Sequence, residues 1–371
     1  MKIAVPQEIK NHEYRVACTP AGVHELRAHG HEVFVQAGAG SGSSIPDEDY
    51  LAAGAELVGS ADEAWAAGEL VLKVKEPVPE EYPRLREGQL LFTYLHLAAS
   101  AELTGALMRA GVTGIAYETV QAPGGNLPLL APMSEVAGRL APQVGSYALL
   151  RPSGGRGVLP GGVPGVAPAR VVVIGGGVAG LNAATVALGM GADVELLDTN
   201  VDKLRDIDRD YRGGIRTVAS NRYTVESAVQ AADLVIGAVL IPGAKAPKLV
   251  SNELVSRMKP GSVLVDVAVD QGGCFADSEP TTHDAPTYRV HDSLFYCVAN
   301  MPGAVPNTST HALTNVTLPY ALRIADHGWR AACAADPALA GGLNTHGGKL
   351  VNAAVAEAHD LPLTDPSAVL D

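Results

Sequence analysis

Three glycines and one acid form the pattern in this sequence whose chemistry is easiest to infer. Gly175, Gly177 and Gly180 make the motif G-x-G-x-x-G, between a β-branched run that predicts a buried strand and an Ala- and Leu-rich stretch that predicts a helix. The first glycine permits a tight turn, the second lets a pyrophosphate approach the backbone, and the third lets the helix pack on the strand. The next apolar run ends on Asp198, whose carboxylate can accept both ribose hydroxyls of NAD and would repel the 2′-phosphate of NADP. The spacing predicts an NAD site rather than an ordinary glycine-rich turn.

Four further polar side chains follow predicted strands, at the edge where open parallel sheets bind ligands. Arg15 lies in the loop after the first strand, and Lys75, His96 and Asp270 follow or end later ones. Arg15 offers a bidentate fork to a carboxylate, and Lys75 could polarise a carbonyl or an imine. Histidine is the side-chain type best suited to proton transfer at neutral pH, so His96 could move protons, while Asp270 could orient an amine or activate water. The set is typical of a dehydrogenase that acts on an amino acid or hydroxy acid.

Each of these side chains also has an ordinary structural explanation. Arg15 could be a surface charge, and in the run Val-Lys-Val-Lys the alternation suggests that one lysine merely faces solvent. Asp270 could cap the turn that follows it, and His96 could be a hydrogen-bonded core histidine. Four suitable residues at four predicted strand ends favour function. The same rule selects three more polar residues: Glu8, Glu76 and Asn300.

Strands and helices alternate through most of the chain, which predicts parallel sheets with helices on their faces. The predicted strands of the first half are Lys2 to Val5, Glu32 to Gln36, Leu70 to Val74, Gln89 to Leu95 and Gly114 to Tyr117. Those of the second half are Val171 to Ile174, Val194 to Leu197, Leu234 to Leu240, Ser262 to Val269 and Ser293 to Val298. The predicted helices include Ala21 to Ala28 capped by Thr19, Ser134 to Leu150 capped by Ser134, Leu181 to Met190, Thr308 to Asp326 and Lys349 to His359.

We therefore predict an α/β fold of two Rossmann-like, doubly wound parallel-sheet domains, separated by a cleft and joined by long helices. Residues 1–128 with 307–371 are expected to form the substrate domain, and residues 129–306 the NAD-binding domain. The Gly- and Pro-rich stretch Arg151 to Pro168 is a loop. Whether it is a flexible linker or lets the backbone approach a ligand stays open.

Composition narrows the class of protein. The chain has 371 residues, of which 47% are hydrophobic and 18% charged, and its net charge of −13 argues against nucleic acid or an anionic membrane as partner. No apolar run is long enough to span a membrane, and the N-terminus has no signal-peptide pattern. The four cysteines show no metal or redox spacing and indicate reduced thiols in a cytoplasmic protein, although a nucleophilic cysteine stays open.

Seven stretches are more specific than the glycine motif: IAVPQEIK from Ile3, NHEYRVA from Asn11, KVKEP from Lys73, YLHLA from Tyr94, LAPMSEVAGR from Leu130, VDVAVDQGGC from Val265 and VANMP from Val298. By these stretches essentially the whole chain resembles the bacterial L-alanine dehydrogenases. The resemblance implies NAD-linked oxidative deamination of L-alanine to pyruvate and ammonium, and the reverse amination. It also implies a homohexamer of two-domain subunits.

Carried over to matching positions, the resemblance implies that Arg15 and Lys75 bind the substrate and that His96 and Asp270 are the acid–base pair. The implied NAD contacts are Ser134, Gly175, Gly177, Val178, Ala179, Gly180, Asp198, Lys203, Ser220, Val239, Leu240, Val267 to Asp270, Val298, Asn300 and Met301. The cation of Lys203 could touch the adenosine side. Arg323 lies one turn before His327 on the long helix, which disfavours a divalent ion there, so no required metal is expected.

Two rival functions use the same architecture. One is the nucleotide-binding subunit of a proton-translocating transhydrogenase, which shares the Arg-Val-Ala and Val-Ala-Asn-Met-Pro stretches. The other is an NAD-binding sensor that has lost catalysis. The substrate-type set of Arg15, Lys75 and His96 favours the dehydrogenase over both.

Overall fold

The computed structural model describes residues 1–239 and 246–370. The chain divides into two compact units, Met1–Met133 with Gly303–Asp371, and Ser134–Pro302. The domain boundaries expected from the sequence, 128/129 and 306/307, lie a few residues from those of the units. The roles expected for the two domains stay predictions.

Short strands recur along the whole of the described chain. In chain order they are β1 (Lys2–Val5), β2 (Glu32–Gln36), β3 (Glu56–Val58), β4 (Leu70–Leu72), β5 (Leu90–Thr93), β6 (Thr113–Ala116), β7 (Arg170–Ile174), β8 (Asp193–Asp198), β9 (Ile215–Ala219), β10 (Leu234–Gly237), β11 (Val263–Asp266), β12 (Thr287–Val290), β13 (Ser293–Tyr296), β14 (Leu343–His346) and β15 (Lys349–Leu350).

The α-helices of the described residues lie between and after these strands. They are α1 (Pro20–Ala28), α2 (Asp47–Ala52), α3 (Ala61–Ala67), α4 (Ala101–Ala110), α5 (Ala131–Ala148), α6 (Val178–Gly189), α7 (Val201–Tyr211), α8 (Arg222–Ala231), α9 (Asn252–Ser256), α10 (Pro306–His327), α11 (Trp329–Ala335), α12 (Pro337–Gly341), α13 (Ala353–His359) and α14 (Ser367–Leu370).

The first unit contains a sheet of strand order β15-β14-β6-β5-β4-β1-β2-β3. Strands β1 to β6 pair in parallel, whereas β14 is antiparallel to both β6 and β15. From β1 the chain first builds outward through β2 and β3, and then returns to the other side of β1 with β4. This reversal of strand order between β1 and β4 is the feature that defines a doubly wound sheet and its ligand-binding edge.

The second unit repeats this arrangement with the order β12-β13-β11-β10-β7-β8-β9. All pairings are parallel except that of the edge strand β12 with β13. Strand order reverses between β7 and β10. The central strand β7 has Val171 to Ile174 at most 1% exposed, as its unbroken β-branched run predicts for a strand covered on both faces. The prediction of two Rossmann-like, doubly wound sheets is confirmed.

Several element boundaries differ from the sequence prediction. The strands predicted to end at Val74, Leu95, Val269 and Val298 stop two or three residues earlier, and the one predicted over Leu234 to Leu240 stops at Gly237. The apolar run continues past each strand because the following backbone leaves the sheet while its side chains are still largely buried. Leu240 itself lies outside the described residues.

Two predictions about helices are wrong. Helix α5 begins at Ala131, so Ser134 lies inside its first turn and is not the N-cap. Pro132 fits this start because a proline in the first turn sacrifices no helical hydrogen bond. The predicted helix from Lys349 begins only at Ala353. The preceding Gly347-Gly348 pair closes a hairpin in which Lys349 pairs with His346, and two glycines with positive φ are typical of such turns.

The Gly- and Pro-rich loop 151–168 is tied to its own unit by backbone hydrogen bonds. The N–H groups of Gly155 and Gly157 donate to the carbonyls of Leu150 and Leu149, and that of Arg156 donates to Gly261. A Cβ at Gly155 would lie 2.2 Å from the carbonyl oxygen of Ala148, so glycine is required there by close backbone packing. The loop is therefore fixed at its beginning and is not a free linker over that stretch.

Candidate active site

Arg15 lies in the loop between β1 and α1 and is buried, with 2% of its surface exposed, so the surface-charge explanation is wrong. Its Nε and Nη2 donate to the two carboxylate oxygens of Glu13 at 2.7 and 2.5 Å, and its Nη1 lies 2.9 Å from Sδ of Met133. Burial by itself would lower the pKa of the guanidinium, but the charge and hydrogen bonds of Glu13, with smaller contributions from Tyr94 and Glu8, together outweigh burial and raise the pKa above its ordinary value. Arg15 is thus a fixed cation whose Nε–Nη2 edge is held inside the protein.

The two lysines of the Val-Lys-Val-Lys run are both buried, which contradicts the expectation that one faces solvent. Lys73 is 0% exposed, and its Nζ donates to Glu8 and to Glu81 at 2.9 Å each. Lys75 is 8% exposed, yet its ammonium makes no hydrogen bond or ion pair with any residue that the structure describes. Strict alternation fails here because β4 ends at Leu72 and the backbone then bends. The run therefore contains one paired and one unpaired lysine.

His96 follows β5 and adopts the left-handed conformation, with φ of 48°. Glu118, which follows β6, accepts the backbone N–H of His96 at 2.6 Å, and its Oε1 lies 3.8 Å from Nδ1 of the ring. The ring stacks on Tyr94 with centroids 5.8 Å apart. The side chain is 40% exposed, so His96 is not a core histidine. A non-glycine residue held at positive φ by its neighbours is a common feature of functional sites.

The three motif glycines of the second unit differ in how strongly the surrounding structure requires a glycine. Gly175 has φ of +101°, and a Cβ there would lie 2.8 Å from the carbonyl oxygen of Ala238. A Cβ at Gly180 would lie 1.7 Å from the carbonyl oxygen of Gly175, so α6 packs directly on the turn. At Gly177, the N-cap of α6, a Cβ would meet no described atom within 4 Å. The fold therefore requires the first and third glycines but not the second, where space is left open at the N-terminus of the helix.

Asp198 ends β8 and is buried, with 9% of its surface exposed. Its Oδ2 accepts the N–H of Gly176 at 2.7 Å and Nζ of Lys203 at 2.9 Å, and its Oδ1 accepts the N–H of Asn200 at 2.8 Å. Burial raises the pKa of Asp198, but these hydrogen bonds outweigh burial and lower the pKa below its ordinary value. The carboxylate is therefore charged and fixed beside the motif glycines, where the ribose of a dinucleotide would lie.

The other predicted cofactor residues of the second unit follow the carboxyl ends of parallel strands, except Ser134, which lies in α5. Asn300 is in the left-handed region with φ of 63°, and Val298 and Met301 are 1% and 3% exposed, so those two could reach a ligand only through their backbone. Leu240 lies outside the described residues. The described remainder of the set comprises Val178 and Ala179 after β7, Ser220 after β9, Val239 after β10 and Val267 after β11.

Asp270 lies in a short 3-10 turn, Val269–Gln271, after β11 and is exposed. Its carboxylate bonds to no residue in the described part of the chain, so it does not cap the following turn. Asp266, the last residue of β11, is 0% exposed and accepts hydrogen bonds from the N–H of Cys274 at 2.7 Å and from Ser278 at 2.5 Å. Burial raises the pKa of Asp266, against the lowering effect of these donors. Asp266 thus anchors the loop that carries Asp270.

Sequence reasoning missed Glu13, Lys73, Glu118 and Asp266. Glu118 directly follows a predicted strand, so the rule that selected His96 would have selected it as well. Asp266 is an acid inside an apolar run, which signals a buried and hydrogen-bonded carboxylate. Glu13 and Lys73 had no such signal: the conformation of a single loop pairs Glu13 with Arg15, and the packing of two loops pairs Lys73 with Glu8.

The two units thus gather different chemistry at corresponding edges of their sheets. Arg15, Lys75 and His96 all follow parallel strands of the first sheet, which gives that edge two buried cations and a titratable ring. The edge of the second sheet has the glycine turn, a helix N-terminus, Asp198 and the exposed Asp270. The first edge suits a small anion, and the second suits a dinucleotide.

Two family descriptions match nearly the whole chain. The N-terminal domain of alanine dehydrogenase/PNT matches residues 4–137, and the C-terminal domain of alanine dehydrogenase/PNT matches residues 141–353. The chain belongs to this family. The resemblance inferred from the seven sequence stretches is therefore confirmed, and it covers both units.

Individual members of the family are similar over their full length. An alanine dehydrogenase of Mycobacterium tuberculosis is 65% identical over 370 residues, and one of Halomonas elongata is 58% identical, with all of each chain covered. A solved L-alanine dehydrogenase structure superposes with a TM-score of 0.94 at 52% identity, covering 97% of this chain and 99% of that one. A solved transhydrogenase from Sinorhizobium meliloti has a TM-score of 0.81 at 27% identity, covering 95% and 100%.

Two further observations concern metals and membranes. Within the described ranges, no group of three or more His, Cys, Asp or Glu side chains could hold a metal ion. Arg323, the cation whose position one turn before His327 was expected to disfavour a divalent ion, donates to Asp336 at 2.6 Å. The expectation that no metal is required stays a prediction. None of the described helices is both long and apolar enough to cross a membrane.

Proposed function

We propose that this protein is an NAD-dependent amino-acid dehydrogenase that interconverts L-alanine and water with pyruvate and ammonium. The observation that carries the proposal is Lys75, a side chain with only 8% of its surface exposed whose ammonium makes no hydrogen bond or ion pair with a described residue, in the same unit as the buried cation Arg15. An ammonium whose donors are not used within the protein can donate them to a bound carbonyl or carboxylate. The relatives named alanine dehydrogenase, at up to 65% identity over the whole chain, support the choice of substrate.

The choice of NAD as the cofactor of the second unit is supported by an argument that does not depend on the relatives. A Cβ at Gly177 would meet no described atom within 4 Å, so the fold would tolerate a side chain there, and Gly177 is the N-cap residue of α6. Backbone N–H groups of Val178 and Ala179 would hold the pyrophosphate there, and Asp198 would accept the ribose hydroxyls. Bound there, NAD would supply the hydride chemistry, that is, acceptance of a hydride from Cα of alanine and, in reverse, donation of one to the same carbon of the imine. The charge of Asp198 supports NAD rather than NADP.

The side chains of the first unit would bind the substrate and move its protons. Arg15 would bind the carboxylate of the substrate through its guanidinium, which Glu13 holds in a fixed orientation. Lys75 would donate to the carbonyl oxygen of pyruvate, or to the hydroxyl of the carbinolamine formed when ammonia adds. His96 would take and return the proton of that hydroxyl, and its exposed ring is accessible for this exchange.

Asp270 would act from the second unit. An exposed carboxylate bonded to no described residue could accept a hydrogen bond from ammonia or water, and so orient either one for addition. For this to happen, the substrate held by Arg15 and Lys75 must reach the cofactor held by the second unit. Hydride transfer between the two domains is therefore a requirement of the proposal.

The test is an assay of NADH oxidation with pyruvate and ammonium, run beside the same assay without ammonium. We expect NADH to be consumed only when both substrates are present. Consumption with pyruvate alone would replace the proposal by a hydroxy-acid dehydrogenase. NADH binding without turnover on either mixture would favour the transhydrogenase or sensor function instead.

A further inference from the structure

Lys73 lies at the centre of a buried triad with Glu8 and Glu81. Its Nζ donates to one oxygen of each carboxylate, and all three side chains are at most 3% exposed. Burial by itself would lower the pKa of Lys73, but the two carboxylates outweigh burial and raise it. Replacing buried ion pairs with apolar side chains often leaves stability unchanged, so the triad needs an explanation other than stability.

The second oxygen of Glu8 holds the backbone that carries Lys75. Glu8 Oε1 accepts the N–H of Val74 at 2.6 Å and that of Lys75 at 3.3 Å. This backbone has just left β4: the carbonyl of Val74 still accepts the N–H of Tyr94, whereas the N–H groups of Val74 and Lys75 donate to Glu8 instead of to a strand. Glu8 therefore supplies the acceptors that a neighbouring strand would otherwise provide.

The second oxygen of Glu81 holds the far end of the same short segment. Glu81 Oε2 accepts the N–H of Val78 at 3.0 Å. The segment 74–78 is thus bonded at its start to Glu8 and at its end to Glu81, and Lys73 joins the two carboxylates. Lys75 is the residue of this segment whose side chain is only 8% exposed and whose ammonium makes no hydrogen bond or ion pair with a described residue.

We infer that Glu8 and Lys73 are positioning residues, which set the place of the Lys75 ammonium by fixing the backbone of segment 74–78. The inference rests on the proposed function, in which Lys75 contacts the substrate. Its physical content is preorganisation: a displacement of about 1 Å at a group that contacts the substrate can cost about 100-fold in rate. Neither Glu8 nor Lys73 needs to touch the substrate for this effect.

Two variants of the full-length protein test the inference. Glu8→Gln keeps a similar shape but removes the charge that Lys73 requires. The triple variant Glu8→Leu/Lys73→Met/Glu81→Leu replaces the whole triad by apolar side chains of similar size, which preserves folding where a single buried charge left unpaired would not. The matched control is Glu195→Gln, because Glu195 on β8 is also buried and held by two cations, Arg170 and Arg216.

Three measurements are made on each variant: hydrogen–deuterium exchange of residues 74–78, kcat/KM for pyruvate, and the Kd of NADH. We expect faster exchange in both test variants, with kcat/KM for pyruvate lowered about tenfold to 100-fold and the Kd of NADH unchanged. The control should match the wild type in all three. The change confined to pyruvate distinguishes positioning from general destabilisation, which would weaken NADH binding as well.

A folded triple variant with wild-type kcat/KM would overturn the inference, as would equal losses in pyruvate and NADH parameters. If neither variant folds, the triad is a folding requirement and the inference is also wrong. Failure of the proposed function is recognised separately, because the wild type itself would then lack alanine and pyruvate turnover. The exchange measurement would still decide whether the triad fixes segment 74–78.

Discussion

In the first unit the strand order reverses between β1 and β4, and in the second it reverses between β7 and β10, yet the two edges have little chemistry in common. The first edge is made of charged side chains, most of which are already paired, as in Arg15 with Glu13 and Lys73 with Glu8. The second is made of glycine backbone, a helix N-terminus and the two acids Asp198 and Asp270.

The difference shows what topology does and does not determine. A doubly wound sheet creates a ligand-binding crevice wherever its strand order reverses, whatever the ligand. A small anion is recognised by few contacts, so it needs cations fixed in advance by their own partners. A pyrophosphate is recognised by backbone N–H groups, so the chain must approach it without side chains in between.

The largest effects are expected where the two edges act in one reaction. His96→Ala removes the proton-transfer group of the first edge, and Asp270→Ala removes the carboxylate of the second. Because general acid–base groups contribute about 100- to 10,000-fold, each variant should lose turnover by about that factor. The Kd of NADH should change less than about twofold, since neither side chain holds the pyrophosphate. Near-normal turnover in both variants would show that the two edges do not act in one reaction.

Within the second edge, substitutions in the glycine motif distinguish a glycine that the fold needs from one that a bound dinucleotide would need. Gly180→Ala would place a Cβ 1.7 Å from a backbone oxygen, and we expect a loss of at least about 3 kcal/mol in the free energy of unfolding. Gly177→Ala meets open space in the described structure, so its melting temperature should stay close to that of the wild type. Its Kd for NADH should rise about tenfold or more, or about 1.4 kcal/mol. Unchanged NADH affinity in Gly177→Ala would remove the argument for a dinucleotide at this turn.

Asp198 tests whether one charge decides the cofactor at the second edge. Asp198→Asn removes the repulsion of a 2′-phosphate and leaves Lys203 without its carboxylate partner. We expect the ratio of kcat/KM with NADPH to that with NADH to rise about tenfold, corresponding to about 1.4 kcal/mol. An unchanged ratio in steady-state kinetics would mean that the selection of the cofactor lies elsewhere.

The same variant should change how stability depends on pH. The pKa of Asp198 is lowered in the folded protein from 3.8, because its hydrogen bonds outweigh burial. The contribution of a group with a lowered pKa is fully present above the unfolded value and is lost as the pH falls through the folded value. The difference in free energy of unfolding between wild type and Asp198→Asn should thus be greatest at neutral pH and shrink in acid. Urea unfolding at several pH values measures it.

The smallest effects are expected for the chemical reactivity of the thiols, which can be measured for each unit separately. Burial raises the pKa of Cys18 and Cys333 in the first unit to about 12, and that of Cys274 and Cys297 in the second to about 12 and about 11. The thiolate is the reactive form, so iodoacetamide should label none of the four at neutral pH while the protein is folded. In Gly180→Ala, peptide mapping should find label on Cys274 and Cys297 first. Rapid labelling of one thiol in the wild type would restore the idea of a nucleophilic cysteine.

Most of the fold could be predicted from the sequence because it follows local patterns. Strands β1 and β2 match their predicted ranges, and β7 with its glycine turn differs by one residue. The errors arose where two local patterns overlap. Pro132 is compatible with a helix that starts at Ala131, three residues before the predicted N-cap Ser134. The hairpin at Gly347-Gly348 was missed because the residues that follow it have the apolar spacing of a helix.

Residue types and their spacing determined by themselves that two doubly wound sheets form, and which loops lie at their ligand-binding edges. The reason is that backbone hydrogen bonding and burial act within short segments, so that each strand and turn is readable alone. Only the tertiary structure decided which charges are already paired. Lys73 and Lys75 are two residues apart in the same run, yet Lys73 is held by Glu8 from the distant loop after β1 and by Glu81 from the turn that follows, whereas Lys75 makes no hydrogen bond or ion pair with a described residue. Such pairing depends on how these loops pack together, which no local pattern encodes.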